Sequence, residues 1–511
     1  MCERPVRPPT ASRTLIDRKA EEPMKRTVLK PLLVISALAG LASGCAVLPR
    51  GEKEERARIA EAGRPYVARE APPPLPEKPG PEDYLRHAFL SNAELEIRYW
   101  EWKAAIEQVP QDSSFPNAAV PFSTMFGAGT MKAWDRTTLG VMNDPMANIP
   151  FPTKLAAAGR RALEAARAAG RRFEEAKFLL QGRVLSTYYD LALLAESIRI
   201  QEENVALLRL IVGQAEVRVS AGTSTQQDLL KAQTELDLAE NDLANLRSQV
   251  PPAAARMNAL LGRAPDAPIP LPETLPAPRP LLLADAELIR IGSDLSPELS
   301  ALAREVAGRE EALSLAKQAY IPDFGLSFSF TGTVSQTVGG MLMIPIRLQA
   351  IRAGIEQARA GIKAAQAART QYARDLAASF VLNLYVLRNA ERQAALFDGT
   401  IIPRARETVQ IAQTAYAAGR VSFAELLDAQ RTLLDARLAL AQVRTEREKA
   451  LAAIETWSAV DAEVMRPGST ALRATRGGMG ASAARGAPPG RNAAGGGGGG
   501  ASGSSSGMAM R

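Results

Sequence analysis

The sequence has little of the chemistry that enzymes and metal sites need. Its 511 residues include one histidine, His87, and two cysteines. A single imidazole forms neither a catalytic triad nor a metal cage. We also find no phosphate loop, no nucleophile elbow and no pair of CxxC motifs. The sequence therefore predicts a protein that is not an enzyme and that binds no metal or cofactor.

Acidic residues are missing from the C-terminal end, where residues 466–511 contain six arginines. Residues 1–44 also carry more basic than acidic groups, so the remaining residues, 45–465, have a net charge of −3 although the whole chain is at +7. Nucleic-acid-binding domains cluster Lys and Arg to neutralise phosphates. The central part of the chain is therefore not expected to bind nucleic acid.

The apolar run Leu32–Ala42 is too short for a membrane-spanning helix, which needs about 20 apolar residues. Basic residues follow Met24 and precede this run, and small residues lead from it to Cys45. This pattern is typical of a bacterial lipoprotein signal peptide; the alternative is an uncleaved anchor. We expect translation to start at Met24, residues 1–44 to be removed, and Cys45 to carry the lipid. Ala46 stands where inner-membrane lipoproteins have a retention aspartate, which favours delivery to the outer membrane.

The segments next to the two ends contain little that could form a core. Residues 45–90 combine a charge run with proline-rich stretches, which predict a lipidated N-terminus and an extended, weakly structured linker. Residues 466–511 are rich in Gly, Ala and Ser and predict a disordered tail.

The central part of the chain repeats itself. At an offset of 197 residues, Gly222 matches Gly419, and identities continue as far as the pair Arg247 and Arg444. A period this long is not that of a solenoid. The sequence therefore predicts two structural repeats, over residues 91–285 and 286–465.

Each matched segment has the pattern of a tight turn between two helices. A glycine can adopt the left-handed conformation that ends a helix. Three residues later comes a hydroxyl residue, followed after three more by an acid, which is the capping-box pattern that starts the next helix. Leucines seven residues apart then predict a coiled-coil seam. The turn residues are Gly222, Thr225 and Asp228 in the first repeat and Gly419, Ser422 and Glu425 in the second.

The helices that lead to these turns are predicted to be very long. Lys154–Ala221 contains no proline, and a continuous helix of this length would extend about 100 Å. Leu348–Ala418 has the same character but contains Gly399 and Pro403, where we expect a kink or a joint. Helices this long are typical of coiled coils and tubes rather than globular cores.

A strand-like segment precedes each long helix. Pro322–Thr331 alternates apolar and small residues, and Gly340–Pro345 returns toward the helix. In the first repeat, strands are predicted more loosely around Val120–Phe126 and Thr137–Met142. Four strands cannot close a barrel, which needs about eight, and a membrane sheet with open edges is not viable. If the strands enter a bilayer, several chains must share one barrel.

The sequence resembles the TolC-type outer-membrane efflux proteins over roughly residues 85–460. The most specific motifs are the two turns, Val219–Gln233 and Tyr416–Gln430, together with Asn258–Arg263. Phe151–Leu155 is similar to the start of the long helix in the heavy-metal resistance branch of the family. The resemblance implies a mainly α fold in which long-helix hairpins form an α-barrel.

The same resemblance implies a homotrimer in which four strands per chain contribute to a 12-stranded outer-membrane β-barrel. It implies that the tips dock on a periplasmic adaptor and an inner-membrane pump. The expected function is a passive export duct, the outer-membrane channel of a tripartite efflux system. The alternatives are a type I secretion duct and a non-conducting coiled-coil spacer lipoprotein.

Channels of this family are closed at the periplasmic tip by hydrogen bonds and ion pairs beside the turns. By position, the resemblance assigns this role to Asp228, Tyr416, Glu425 and Asp428. Well-known members have an arginine two residues after the second glycine, where this chain has Val421, and Arg420 comes one position earlier. An alternative role for Asp228 and Glu425 is to cap helices.

Overall fold

The computed structural model describes residues 46–127, 130, 132–143, 148–279 and 284–458. The expected signal region 1–44, the lipidation site Cys45 and the tail 466–511 lie outside these residues. Within the described ranges the chain is mostly helical with one small sheet. No helix in these ranges is long and apolar enough to cross a membrane.

The first repeat is built around one very long helix. Helix α5 runs without interruption for 69 residues, Pro152–Ser220, as the absence of proline predicted. Shorter helices precede and follow it along the chain. They are α1 (Glu52–Ala62), α2 (Arg64–Ala68), α3 (Pro81–Ser91), α4 (Ala93–Ser113), α6 (Gln226–Ser248) and α7 (Val250–Leu260).

The second repeat has the same plan, but its long arm is divided. Helix α10 (Leu348–Leu396) passes through a π turn, Phe397–Ile401, into α11 (Ile402–Ala417). The break lies where Gly399 and Pro403 predicted a joint. The other helices of this repeat are α8 (Asp285–Leu295), α9 (Pro297–Lys317) and α12 (Phe423–Ser458).

The strands of both repeats form one antiparallel sheet. Its strands are β1 (Ala118–Ala119), β2 (Phe122–Thr124), β3 (Thr137–Asn143), β4 (Asp323–Thr331) and β5 (Ser335–Met343). Strands β1 and β2 pair with β3, which pairs with β4, and β4 pairs with β5. Pro121, which has no N–H to donate, lies between β1 and β2. The predicted hairpin of the second repeat is therefore confirmed, and the first-repeat strand is interrupted.

The helices pack side by side and do not surround one central core. We call this layer of helices the wall. Helix α5 contacts α4 and α9 near the sheet, and α6 and α12 toward the turns. The buried apolar residues form four separate clusters along this length. The predicted leucine seams lie within them, since Leu243, Leu426 and Leu440 are buried.

The expectation of an extended linker over residues 45–90 is wrong for residues 52–68 and 81–90. Residues 52–68 form α1 and α2, which pack on the first repeat, and residues 81–90 belong to α3. Tyr66 stacks on Tyr99 with ring centroids 5.2 Å apart, and the indole N–H of Trp102 donates to Glu55 (3.0 Å). The helices form because residues distant in sequence cover their apolar side chains. Most of the proline-rich residues 70–80 have no regular secondary structure.

A buried ionic network anchors the segment that follows α7, which we call the link between the repeats. Arg279 donates to Glu448 (3.0 Å) and to Glu455 (2.7 Å), two buried carboxylates of α12. Tyr189 on α5 also donates to Glu448 (3.3 Å). These bonds hold the link, α12 and the first long helix together near the middle of the wall.

Candidate functional site

The predicted tips are formed by two helical hairpins with the same backbone geometry. Gly222 and Gly419 have positive φ angles of 69° and 70°, a conformation open to glycine at little cost. The N–H groups of Thr223 and Arg420 donate to carbonyls five residues earlier, which ends both incoming helices in the same motif. The two turns therefore have the same backbone geometry, at the positions of the two matched glycines.

The outgoing helices begin with the predicted caps. The backbone N–H of Asp228 donates to the Thr225 hydroxyl oxygen (3.2 Å), and that hydroxyl donates to the Asp228 carboxylate (2.9 Å). Ser422 and Glu425 make the same reciprocal pair at 3.3 and 3.1 Å. Both carboxylates therefore accept hydrogen bonds within their own turns.

Asp228 has a perturbed acidity because of this geometry. Partial burial raises the pKa of its carboxyl, but hydrogen bonds from Thr225 and Ser224 outweigh that effect. The pKa therefore lies below its usual value, and the cap is fully formed near neutral pH.

An arginine joins the tips of the two hairpins. Arg218, in the last turn of α5, donates from Nη1 to the carbonyl of Tyr416 near the end of α11. Its guanidinium carbon lies 4.5 Å from the centre of the Tyr416 ring. Tyr416 is 4 % exposed and packs against Phe423 at 5.7 Å. No hydrogen-bond partner for its buried hydroxyl is present among the described residues.

A groove lies beside the tips, between the first turns of α6 and α12. Its volume is about 810 Å³, and Leu230, Ala424 and Leu427 supply apolar lining. Charged groups surround them, and an ion pair between Arg431 and Glu235 joins the two helices. The shape and lining suit an amphipathic helix.

The five residues predicted for the gate lie in different surroundings. Asp228 and Glu425 cap helices, and Tyr416 is buried beneath Arg218. Asp428 is exposed in the groove, one turn before Arg431, and Arg420 is exposed just after the second glycine. Arg218 was not predicted, because its contact spans 198 residues.

Within the described ranges, no three His, Cys, Asp or Glu side chains are grouped so that they could hold a metal ion. His87 is buried, and its Nδ1 lies 3.0 Å from the carbonyl oxygen of Pro73. The side chain is thus satisfied within the fold.

The sequence profile of the outer membrane efflux protein family matches residues 98–263 and 293–459, which cover both repeats. The chain belongs to this family. It is 23 % identical over 274 residues to the cobalt-zinc-cadmium resistance protein CzcC of Cupriavidus metallidurans. The match covers 51 % of this chain and 62 % of CzcC, less than two thirds of that relative.

Solved structures of this fold include two outer-membrane proteins. The outer-membrane channel OprN superposes with a TM-score of 0.61 at 19 % identity, over 75 % of this chain and 90 % of that chain. The outer membrane protein VceC of Vibrio cholerae gives a TM-score of 0.63 at 16 % identity, over 75 % and 96 %. At these identities the comparisons establish the fold.

Proposed function

We propose that this chain is the outer-membrane channel of a tripartite efflux system, a passive duct across the periplasm and the outer membrane. Three copies form the duct, and their strands close one 12-stranded β-barrel. The proposal rests on the family match to both repeats and on one structural observation. A sheet with open edges and exposed apolar residues continues into helices about 100 Å long.

The sheet is incomplete by itself. Within the described ranges, β5 pairs only with β4, and β1 and β2 pair only with β3. The outer strand and the segment after it expose large apolar side chains, with Val338 at 76 % and Ile346 at 85 %. Open edges promote pairing with other chains, and exposed apolar patches mark protein or lipid contacts. Closure with other copies in a bilayer satisfies both.

The N-terminal segment supports attachment to the outer membrane through Cys45. The N–H of Val47 donates to the carbonyl of Ser113 (3.1 Å), the last residue of α4. Strand β1 begins five residues later, so the residue after Cys45 lies at the sheet end of the wall. A lipid on Cys45 would therefore enter the same bilayer as the strands.

The opposite end of the wall is the proposed docking site. The groove between α6 and α12 accepts an amphipathic helix from a periplasmic adaptor, which in turn binds an inner-membrane pump. The gate comprises Tyr416 and Arg420 beside the groove and Asp428 within it, with Asp228 and Glu425 as caps. Arg218 holds the second hairpin against the first in the closed state.

The similarity to a cobalt-zinc-cadmium resistance protein favours divalent metal cations as the exported substrate. Export assays in a strain lacking the gene, with zinc, cobalt and cadmium tested separately, address this point. Sensitivity to drugs but not to metals after deletion would reject the metal assignment.

Purified protein tests the channel itself. Light scattering in several mild detergents should give a trimer, and planar bilayers should show ion conductance. Insertion of a proline after Ala232 should abolish export and leave the barrel folded, because proline bends a helix at a cost of about 3 kcal/mol or more. A monomer in every detergent, or a trimer without conductance, would contradict the duct and favour a spacer.

Fatty-acid labelling tests the lipid anchor. The wild-type protein should incorporate a clickable fatty acid, and Cys45→Ser should incorporate none, because the lipid is attached through the sulfur. Equal labelling of both proteins would remove Cys45 as the site.

A further inference from the structure

The two faces of the β-sheet carry different kinds of side chain. Residues that pair directly across neighbouring strands lie on the same face, and successive residues of one strand alternate between the faces. One face carries large apolar side chains, which include Leu139, Phe328, Phe330 and Val338. The opposite face, which we call the lumen face, carries small and polar residues, which include Thr138, Gly140, Ser327 and Ser329. In the proposed barrel the apolar face contacts lipid and the lumen face lines the channel.

Three methionines are exceptions on the lumen face. Met142 of β3 pairs with Ser327 of β4. Met341 of β5 pairs with Gly325, and Met343 is the last residue of β5. Among the described strand residues, no other large apolar side chain lies on this face. All three lie at the end of the sheet that leads into the long helices, since α10 begins five residues after Met343.

The strand geometry brings these thioethers close to one another. Met341 and Met343 are two residues apart on one face, so their Cβ atoms are about 7 Å apart. Each side chain has three rotatable bonds, which allow the two sulfurs to converge. The terminal methyl of Met341 lies 3.4 Å from the point that a Cβ atom on Gly325 would occupy. The end of this side chain therefore lies over β4, in the space that glycine leaves open, on the side toward β3 and Met142.

The ligand chemistry favours a soft, singly charged metal ion. A thioether sulfur is a soft, uncharged ligand of the kind found in Cu(I) sites, and Ag(I) has the same charge and softness. Zn(II) prefers thiolate, imidazole and carboxylate groups. Among the described strand residues, Asp323 is the one ionisable group of the lumen face, opposite Met343. Lys154 of α5 lies 2.7 Å from its carboxylate and compensates that charge.

We propose that Met142, Met341 and Met343 form a binding site for soft monovalent cations, Cu(I) or Ag(I), on the lumen face. The site rests on the proposed duct, because a closed barrel is what turns this face toward a channel. A trimer then carries three such sites at the barrel end next to the helices. Conduction requires binding that is weak enough for the ion to leave, which suits uncharged ligands. The ion is cargo and not a cofactor, and it extends the proposed substrates beyond divalent cations.

Silver binding to the purified full-length protein in detergent tests the site. Equilibrium dialysis in chloride-free buffer measures the affinity for Ag(I) without any need for export. The double variant Met341→Leu/Met343→Leu should bind Ag(I) at least about tenfold more weakly than wild type. Leucine keeps an apolar side chain of similar volume, so the fold is retained. Met341→Leu alone serves if the double variant does not fold.

A matched variant and a second metal make the result specific. Met125→Leu is the control: Met125 is 76 % exposed at the opposite end of the sheet, where its N–H donates to the carbonyl of Arg136, and its variant should bind Ag(I) as wild type does. Zn(II) in about tenfold excess should not displace the silver.

Two outcomes would overturn the proposal: equal silver affinity in wild type and the folded leucine variants, or displacement of the silver by Zn(II). The cysteines are unchanged in every variant, so any silver on thiols is common to all. Conductance in planar bilayers is measured separately. Silver bound at the methionines of a protein that does not conduct would reject the duct and keep the metal site.

Discussion

Arg218 and Tyr416 join the two halves of the chain at the tips: the guanidinium lies over the tyrosine ring and donates to the carbonyl of the same residue. The internal repeat provides no equivalent pair, because the positions that correspond to Arg218 and Tyr416 are Ala415 and Val219. The contact therefore breaks the symmetry between the repeats where the proposed gate lies.

Arg218→Met should favour the open channel. The change removes a charge-assisted hydrogen bond, with a typical value of about 1.5–3 kcal/mol, so the open probability in planar bilayers should rise at least about tenfold. Arg209→Met is the control, because Arg209 lies on the same helix and pairs with exposed Glu240. Equal effects of the two variants would show that general loss of charge, not the tip contact, controls opening. Tyr416→Phe keeps the ring and should open less than Arg218→Met.

Asp428→Ala should weaken cation selectivity and remove block by divalent cations added from the periplasmic side. In the proposed trimer three copies of this exposed carboxylate converge near the axis, and such a ring attracts cations. Glu425→Ala should change selectivity less and destabilise the tip more, by about 1 kcal/mol, because it loses a cap. Bilayer recordings and local hydrogen exchange measure the two effects. The reverse pattern would exchange the roles of pore and cap.

Gly170→Ala should destabilise the protein. A Cβ atom at this position would lie 2.7 Å from the buried ring of Trp102, and overpacking of this kind costs about 1–3 kcal/mol. Gly213→Ala, on the same helix, meets no atom within 4 Å and should stabilise by about 1 kcal/mol through helix propensity. Thermal unfolding in detergent compares them. Similar shifts in both variants would contradict the packing around Trp102.

Arg279→Met should strongly destabilise the middle of the wall. It removes the cation that pairs with buried Glu455 and, beside Arg447, with buried Glu448, and the loss of a partner from a buried ion pair typically costs about 3–5 kcal/mol. Arg290→Met is the surface control, since Arg290 is exposed and 3.6 Å from Glu287; it should change stability by less than about 0.5 kcal/mol. Denaturation of both variants at pH 7 is the measurement. A small effect of Arg279→Met would mean that the ion pairs of Arg279 do not stabilise this part of the fold.

Features fixed by local chemistry could be predicted from the sequence. The glycine turns and the caps at Thr225 and Ser422 depend on residues within a few positions of one another. The length of α5 follows from the absence of proline within it. The joint in the second long arm follows from the presence of Gly399 and Pro403.

Features that depend on distant partners could not be predicted. Helices α1 and α2 follow from contacts with α4 and α5, whereas the sequence of α1 is highly charged. Arg218 has an ordinary position on α5 until α11 is packed beside it.

The π turn at Phe397–Ile401 allows the two arms to differ in length without a loss of alignment. The arm from Leu348 to Ala417 has one residue more than α5. One extra residue in a regular α-helix would rotate everything beyond it by about 100°, and Tyr416 would then face away from Arg218. The wider π turn contains the extra residue without this rotation, so the contact surfaces of the two hairpins face each other. Deleting one residue from the π turn should therefore be tolerated if the arm becomes a regular helix, whereas the same deletion in α11 would misalign the tip.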